Sequence, residues 1–285
     1  MNKPLKADLH CHSFFSDGAL SPEALVEKAL KAELGLFALT DHDTTAGVAL
    51  LREAALGKSI MVISGIELSV RWKMYDIHVI GLNMDEHCPI LTGFLEKQNQ
   101  CRIERAKKMA ALLEGVGVEK VYEKACLLAG HDRIGRPHLA QVLINEGVVP
   151  EMRVAFKRYL GKGRLAYVPS TWMTLDEAVL AITHSGGQAA IAHPLKYKLT
   201  RTKLHALIKD FKIAGGVGIE VVSGEMTTAQ IGEMAGLCVR FSLLASTGSD
   251  YHNDTNSRIK LGQQPALPLN CKLIWNQWNL DRNSL

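Results

Sequence analysis

Short apolar runs rich in β-forming residues recur along this chain, separated by stretches whose apolar positions repeat at helical spacing. LGLFALT (34–40), IMVISGIEL (60–68), DIHVIGLNM (76–84), GQAAIAH (187–193), VGIEVVSG (217–224) and FSLLASTGSD (241–250) read as strands, and KADLHCH (6–12) adds a seventh. Amphipathic segments lie between several of them. In SPEALVEKALKAE (21–33), Ser21 can cap a helix, Pro22 suits its first turn, and Glu23 sits favourably at the positive end of its dipole. Alternating strand and helix predicts a largely parallel α/β sheet, and 285 residues suffice to close one into a barrel.

The alternation breaks over residues 85–168. There ILTGFLEKQNQCRIERAKKMAALLEGVG is long and charged on one face, and RPHLAQVLINEGVV and MRVAFKRYLGKG follow with glycine stops. The predicted organisation is a first barrel part at 1–84, an inserted helical substrate-binding lobe at 85–168, and a second barrel part with a C-terminal tail at 169–285. No repeat and no Pro/Ser-rich linker is visible, so the lobe is expected to pack rather than hang on a tether.

Composition narrows the class. A hydrophobic content of 47% supports a sizeable core, and a formal charge of +4 mildly favours an anionic substrate without resembling a nucleic-acid-coating protein. The six cysteines form no CxxC pair, which argues against a zinc ribbon or a thioredoxin motif. The N-terminal MNKPLKADLHC lacks an apolar core, and no apolar run reaches the ~20 residues of a membrane span. The expected setting is the cytoplasm, with no membrane partner.

Candidate chemistry sits along these strands. In DLHCHSFFSDG, His10 and His12 are two apart, so an extended backbone aims both at one point while Cys11 faces the other way, into packing. His42 follows the second strand in LTDHDT, Glu67 ends the third in GIELS, and His78 lies on the fourth. His193 ends a later strand in IAHP, and Asp250 and His252 end the last in GSDYH. Each histidine alone reads as an ordinary hydrogen-bonded residue, and Asp17, Asp41 and Asp43 as turn or cap residues. In parallel α/β folds, however, the C-terminal strand ends meet on one face. So many coincidences there point to metal.

Together DLHCHSFFSDG, LTDHDT, GIELS, IAHP and GSDYH resemble the PHP (polymerase and histidinol phosphatase) family of metal-dependent phosphoesterases, over residues 7–253. The resemblance implies a distorted (β/α)7 barrel with two or three metal ions at its mouth. It implies that His10, His12, Glu67 and Asp250 hold one ion, that Glu67 bridges to a second held by His78 and His193, and that Asp17, His42 and His252 hold a third. Glu67, Asp250 and His193 are the expected catalytic residues.

Counting ligands favours three ions. Nine side chains with one bridging carboxylate make ten bonds, more than two tetrahedral ions accept, and two octahedral ions would keep little room for water or phosphate. The imidazole and carboxylate mixture suits Mn, Fe or Zn without separating them, and six histidines argue against Mg or Ca; Mn is the first choice for the enzyme the resemblance implies. Such a cluster lowers the pKa of a bridging water and clamps phosphoryl oxygens, so the expected chemistry is direct hydrolysis by metal-bound hydroxide.

Substrate phosphate is expected on the lobe, at Arg133, Arg136 and His138 in DRIGRPHLA and at Lys162 and Arg164 in KRYLGKGRLAYVP. The GRPHLA stretch resembles the PHP subgroup that hydrolyses nucleoside 3',5'-bisphosphates and the ends of short RNAs. The leading expectation is therefore a phosphatase converting pAp to AMP, with 5'-3' exonucleolytic action on short RNA beside it. The alternatives are a phosphatase of a small metabolite monophosphate such as histidinol phosphate, and a catalytically silent, metal-stabilised binding module.

Overall fold

The computed structural model describes residues 5–255, 257–278 and 280. The first residues of the N-terminal stretch and the end of the expected C-terminal tail lie outside the described residues. The strands are β1 (Ala7–Asp8), β2 (Leu36–Ala38), β3 (Met61–Ile63), β4 (Gly65–Trp72), β5 (Tyr75–Leu82), β6 (Met173–Thr174), β7 (Gln188–Ile191), β8 (Gly218–Ser223) and β9 (Leu244–Gly248). The helices are α1 (Pro22–Lys31), α2 (Val48–Ala54), α3 (Pro89–Glu114), α4 (Val121–Ala129), α5 (Arg136–Asn145), α6 (Met152–Ala155), α7 (Leu175–His184), α8 (Arg201–Ile213) and α9 (Thr228–Arg240).

Two compact units result. One comprises the residues up to Phe94 together with those from Met173 onward; the other is Leu95–Trp172. The lobe was expected at 85–168, so these bounds fall later than the loss of strand pattern. The reason is visible in α3, a continuous helix whose first residues belong to the strand-bearing unit.

In that unit, β1, β2 and β3 form a parallel sheet, and a second sheet runs β6-β4-β5-β7-β8-β9. The expectation of a largely parallel arrangement holds for β7, β8 and β9, but β5 is antiparallel to both β4 and β7. The single predicted strand at 60–68 is also two strands in two sheets. Ser64 breaks it, its Oγ accepting the Met84 amide at 2.9 Å, and Gly65 passes so close to β2 that a Cβ would lie 2.6 Å from the Leu39 carbonyl oxygen. The turn joining β4 to β5 has Lys73 at φ 53°, a position where glycine or asparagine is the usual sequence signal, so the hairpin was not legible.

Backbone hydrogen bonds link the sheets beyond the named strands. Leu9 N–H donates to the Thr247 carbonyl (3.0 Å), Asp250 N–H to the His10 carbonyl (2.8 Å) and His12 N–H to the Tyr251 carbonyl (2.9 Å), tying the chain after β1 to the chain after β9. Glu67 N–H donates to Asp41 and Asp43 N–H to Glu67, tying the end of β2 to β4. These links bring the segments carrying His10, His12, His42, Glu67 and Asp250 side by side.

Both faces of β2 are covered, which is why it reads as an unbroken apolar run. Leu36 and Ala38 pack with Leu9, Ile80, Ile274 and Trp275, whereas Phe37 and Leu39 pack with Leu25 and Val26 of α1 and Leu51 of α2. Helix α1 starts as its sequence predicts: Ser21 Oγ accepts the Ala24 amide at 3.2 Å, and Leu25, Val26 and Ala29 are buried. Cys11 also behaves as expected. It is buried against Phe37 and Tyr251, its thiol donates to the Ala38 carbonyl at 3.5 Å, and burial pushes its pKa well above the usual thiol range.

The Leu95–Trp172 unit has its own core, with Ala106, Met109 and Leu113 of α3, Val121 of α4, and Leu139 and Leu143 of α5. Its helices stop at glycines in the left-handed region, Gly130 at φ 73° and Gly147 at φ 72°.

A candidate metal centre

Nine side chains named by the sequence converge in the strand-bearing unit, with Glu67 at their middle. Its carboxylate faces two ways. Oε2 lies 3.3 Å from His10 Nε2, 3.3 Å from His12 Nε2 and 3.0 Å from His42 Nδ1; Oε1 lies 2.8 Å from both His78 Nδ1 and His193 Nε2. Glu67 does not end its strand, as the sequence implied, but occupies the third position of β4, and His78 sits on the antiparallel neighbour β5. The hairpin is thus what brings these two together.

His10 Nε2 and His12 Nε2 are 3.2 Å apart, as two residues on one face of an extended segment should be, and Asp250 Oδ1 is 3.5 Å from each. Asp17 Oδ1 lies 3.3 Å from His252 Nε2 and 3.8 Å from His42 Nε2. His42 therefore presents one ring nitrogen to Glu67 and the other to Asp17. Asp17 and His42 also group with His12 and His252, while His10 groups with His193 and Asp250.

Buried carboxylates and imidazoles perturb one another strongly here. Burial favours the neutral form of Glu67, yet His78, His10 and His42 hold its pKa well below the usual range. Burial likewise works against charge on His10, but Glu220 and Glu67 outweigh it and raise its pKa to about 10. His193 goes the other way, lowered by burial to about 4. Glu67 Oε2, Asp17 Oδ1 and His42 Nδ1 are buried and make no hydrogen bond within the described structure. Imidazole nitrogens lie close to these oxygens without meeting them at hydrogen-bond geometry, an arrangement that a bound cation would satisfy.

Spacing fits as well. Donor atoms held at ~2.0–2.2 Å by one ion lie roughly 3.0–3.5 Å from one another. His10 Nε2 and His12 Nε2 lie 3.2 Å from each other, 3.3 Å from Glu67 Oε2 and 3.5 Å from Asp250 Oδ1. These clusters are able to bind metal.

Supporting residues explain how the ligand segments are held, and two were not foreseen as such. Asp41 latches the SFFS loop, accepting the Ser13 amide (2.7 Å), the Ser13 hydroxyl (2.5 Å) and the Ser16 hydroxyl (2.5 Å); Ser16 Oγ lies 3.4 Å from His12 Nδ1. Glu220 of β8 is fully buried, with Oε1 2.9 Å from His10 Nδ1 and Oε2 accepting the His193 amide at 2.6 Å. That second bond fixes a residue in an unusual conformation, since His193 has φ 25°. The signal for Glu220 was present: a lone acid inside VGIEVVSG, whose burial demands partners.

Gly248 sets the other close approach, because a Cβ there would lie 2.2 Å from His10 Cβ. Gly248→Ala is expected to destabilise the protein by about 1–3 kcal/mol, read as a lower urea midpoint.

The five basic residues expected on phosphate lie in the Leu95–Trp172 unit. Arg133 precedes α5, Arg136 opens it, and His138 Nδ1 accepts the Gly135 amide at 3.0 Å, so one of its nitrogens serves the helix start. Lys162 and Arg164 are exposed. Sequence reading passed over Arg102 of α3, which is buried, stacks 4.9 Å from the Trp172 ring centre, and brings Nη1 within 3.8 Å of where a Cβ of Gly135 would be. Basic groups thus gather at the N-terminus of α5, where the backbone also favours an anion.

Comparison with known proteins agrees with this chemistry. The PHP domain family model matches residues 8–158. The chain is 39% identical to a 3',5'-nucleoside bisphosphate phosphatase of Chromobacterium violaceum, covering 95% of each, and 37% identical to the 5'-3' exoribonuclease Rnm of Escherichia coli, covering 97% of this chain and 95% of that one. A solved structure of a candidate metal-dependent phosphoesterase from Bifidobacterium adolescentis has TM-score 0.83 at 26% identity, over 94% of each chain. Among the described residues no helix is long and apolar enough to cross a membrane. With a histidine and carboxylate centre of this kind, a family match over half its length and relatives along nearly all of it, the chain is a phosphoric ester hydrolase and belongs to the PHP domain family.

Proposed function

We propose that this protein removes the 3'-phosphate of nucleoside 3',5'-bisphosphates, converting pAp to AMP, and that it does so with two or three divalent ions, manganese first and zinc or iron next. The observation that carries the hydrolytic reading is Glu67, whose two oxygens each face a separate group of imidazole nitrogens. His10, His12, Glu67 and Asp250 hold one ion; Glu67, His78 and His193 hold a second; Asp17, His42 and His252 hold a third. The links between the chain after β1 and after β9, and between β2 and β4, support a distorted (β/α)7 barrel as the frame.

Bound divalent ions supply an acidified water and neutralise phosphoryl oxygens. The chain's own part is to orient and to exclude. Glu220 and Asp41 hold the ligand segments, and the burial of Glu67, His10 and His12 keeps the centre in a low-dielectric setting where charge is strongly felt. Glu67, His193 and Asp250 act at the reacting centre. Cys11, buried and protonated, is no nucleophile.

The bisphosphate reading is supported by the basic residues near the start of α5 and by the name of the Chromobacterium relative. Arg133, Arg136, His138, Lys162 and Arg164 take the second phosphate, with Arg102 added to them. The name of the Escherichia relative favours a second, 5'-3' exonucleolytic activity on RNA; on short 5'-phosphorylated RNA it would break the same 3'-oxygen bond. Metal-reconstituted protein with Mn, Zn or Mg should be given pAp, AMP, short 5'-phosphorylated RNA and histidinol phosphate. A second phosphate used as an anchor predicts kcat/KM for pAp about 10²-fold or more above the monoesters. Equal values for pAp and the monoesters would remove the bisphosphate reading.

A further inference from the structure

Beside the cluster lies a cavity of about 450 Å3 whose lining belongs wholly to the strand-bearing unit. His193, Asp250 and His252 of the cluster line it. Lys196, Ser223, Met226 and Arg258 are among its other lining residues. We propose that this cavity is the subsite for the nucleotide on the far side of the scissile phosphate, so that it is used by RNA and left unused by a nucleoside bisphosphate. The inference rests on the function proposed above, in which the first nucleotide's 5'-phosphate belongs to the lobe residues.

The geometry supports a continuing chain. Because three cluster residues line the cavity, a phosphoryl group at the cluster has a substituent path straight into it. Asp250 marks the junction: Oδ1 faces His10 and His12, while Oδ2 is paired with Lys196. An ammonium is thereby held where the cluster opens into the cavity. Arg258 lines the cavity too, largely exposed and paired with the exposed Glu225 at 2.9 Å, an ion pair weak enough to exchange for a phosphodiester. Ser223 also lines this cavity, 6% exposed as a residue, with an Oγ that makes no hydrogen bond within the described structure. Met226, Leu195 and Ile259 supply apolar surface for a base, and the volume suits one nucleotide unit, within the ~300–1,000 Å3 of small-ligand pockets.

In this arrangement water adds to the scissile phosphorus and the bond to the first nucleotide's 3'-oxygen breaks. That oxygen leaves as a hydroxyl after taking a proton, and the phosphate stays on the 5'-oxygen of the nucleotide in the cavity. With pAp the same bond breaks and inorganic phosphate leaves instead. Only the dinucleotide has a group to place in the cavity.

The test compares pAp with the dinucleotide pApA on metal-loaded protein carrying Met226→Trp, which fills the cavity, or Arg258→Ala, which removes a lining cation. The expected result is at least a tenfold fall in kcat/KM for pApA, with that for pAp changed less than twofold. Equal losses on both substrates would overturn the proposal, placing the bisphosphorylated nucleoside itself in the cavity. Unchanged hydrolysis of pApA by both variants would overturn it too, as would a wild-type protein that cleaves pAp but not pApA. Wild-type protein inactive on both would instead mark failure of the proposed function. Arg258 is exposed, so its replacement tests the idea even if the tryptophan variant folds poorly.

Discussion

Glu67→Gln is expected to lower hydrolysis by at least ~10³-fold, about 4 kcal/mol of transition-state stabilisation, while the chain still folds. The change is almost isosteric, so packing around this fully buried residue stays as it is. What changes is charge and donor type. One carboxylate presently serves nitrogens of His10, His12 and His42 through Oε2 and of His78 and His193 through Oε1. An amide keeps one oxygen and turns an N–H₂ toward the other group, so it cannot join two ions. Metal content measured after reconstitution should fall with activity, and circular dichroism should be unchanged. Full activity in this variant would overturn the bridged-cluster mechanism altogether.

The second large effect is expected at Glu220. Both of its partners are donors to it, His10 Nδ1 at 2.9 Å and the His193 amide at 2.6 Å, so only a group with two acceptor oxygens satisfies both. Glu220→Gln leaves one of them facing an N–H₂. Carboxylates that orient metal-ligating histidines are typically worth 10–100-fold in metal affinity or activity, and a loss of that size is expected here. Chelator competition gives a readout that a merely structural role would not move. The variant should lose its ions at lower chelator concentration, and saturating metal should recover much of kcat. If chelator sensitivity matches wild type, Glu220 is a packing residue and not a positioning one.

Much of the centre was legible without coordinates. The His10 and His12 pair could be read because alternation along an extended backbone is a local property, and their Nε2 atoms are indeed 3.2 Å apart. The caps of α1 were legible for the same reason. Less local features were not. The β4–β5 hairpin turns through Lys73 without a glycine or asparagine, and the run read as one strand is split at Ser64, where the Ser64-Gly65 pair was its one local sign. Arg102 looked like one charge among many on a long helix, yet it is buried against Trp172.

The chain's own pattern thus determined which residue types lie on and just after the strands, and with them the imidazole and carboxylate chemistry on offer. It did so because periodicity, caps and motif spacing act over a few residues. The tertiary structure decided which atoms meet. His10 and Glu220 are 210 positions apart, and His78 reaches Glu67 only because β5 runs antiparallel to β4. Strand order and the close approaches at Gly65 and Gly248 set those distances, and a ligand cluster depends on differences of a few tenths of an ångström that no spacing along a sequence encodes.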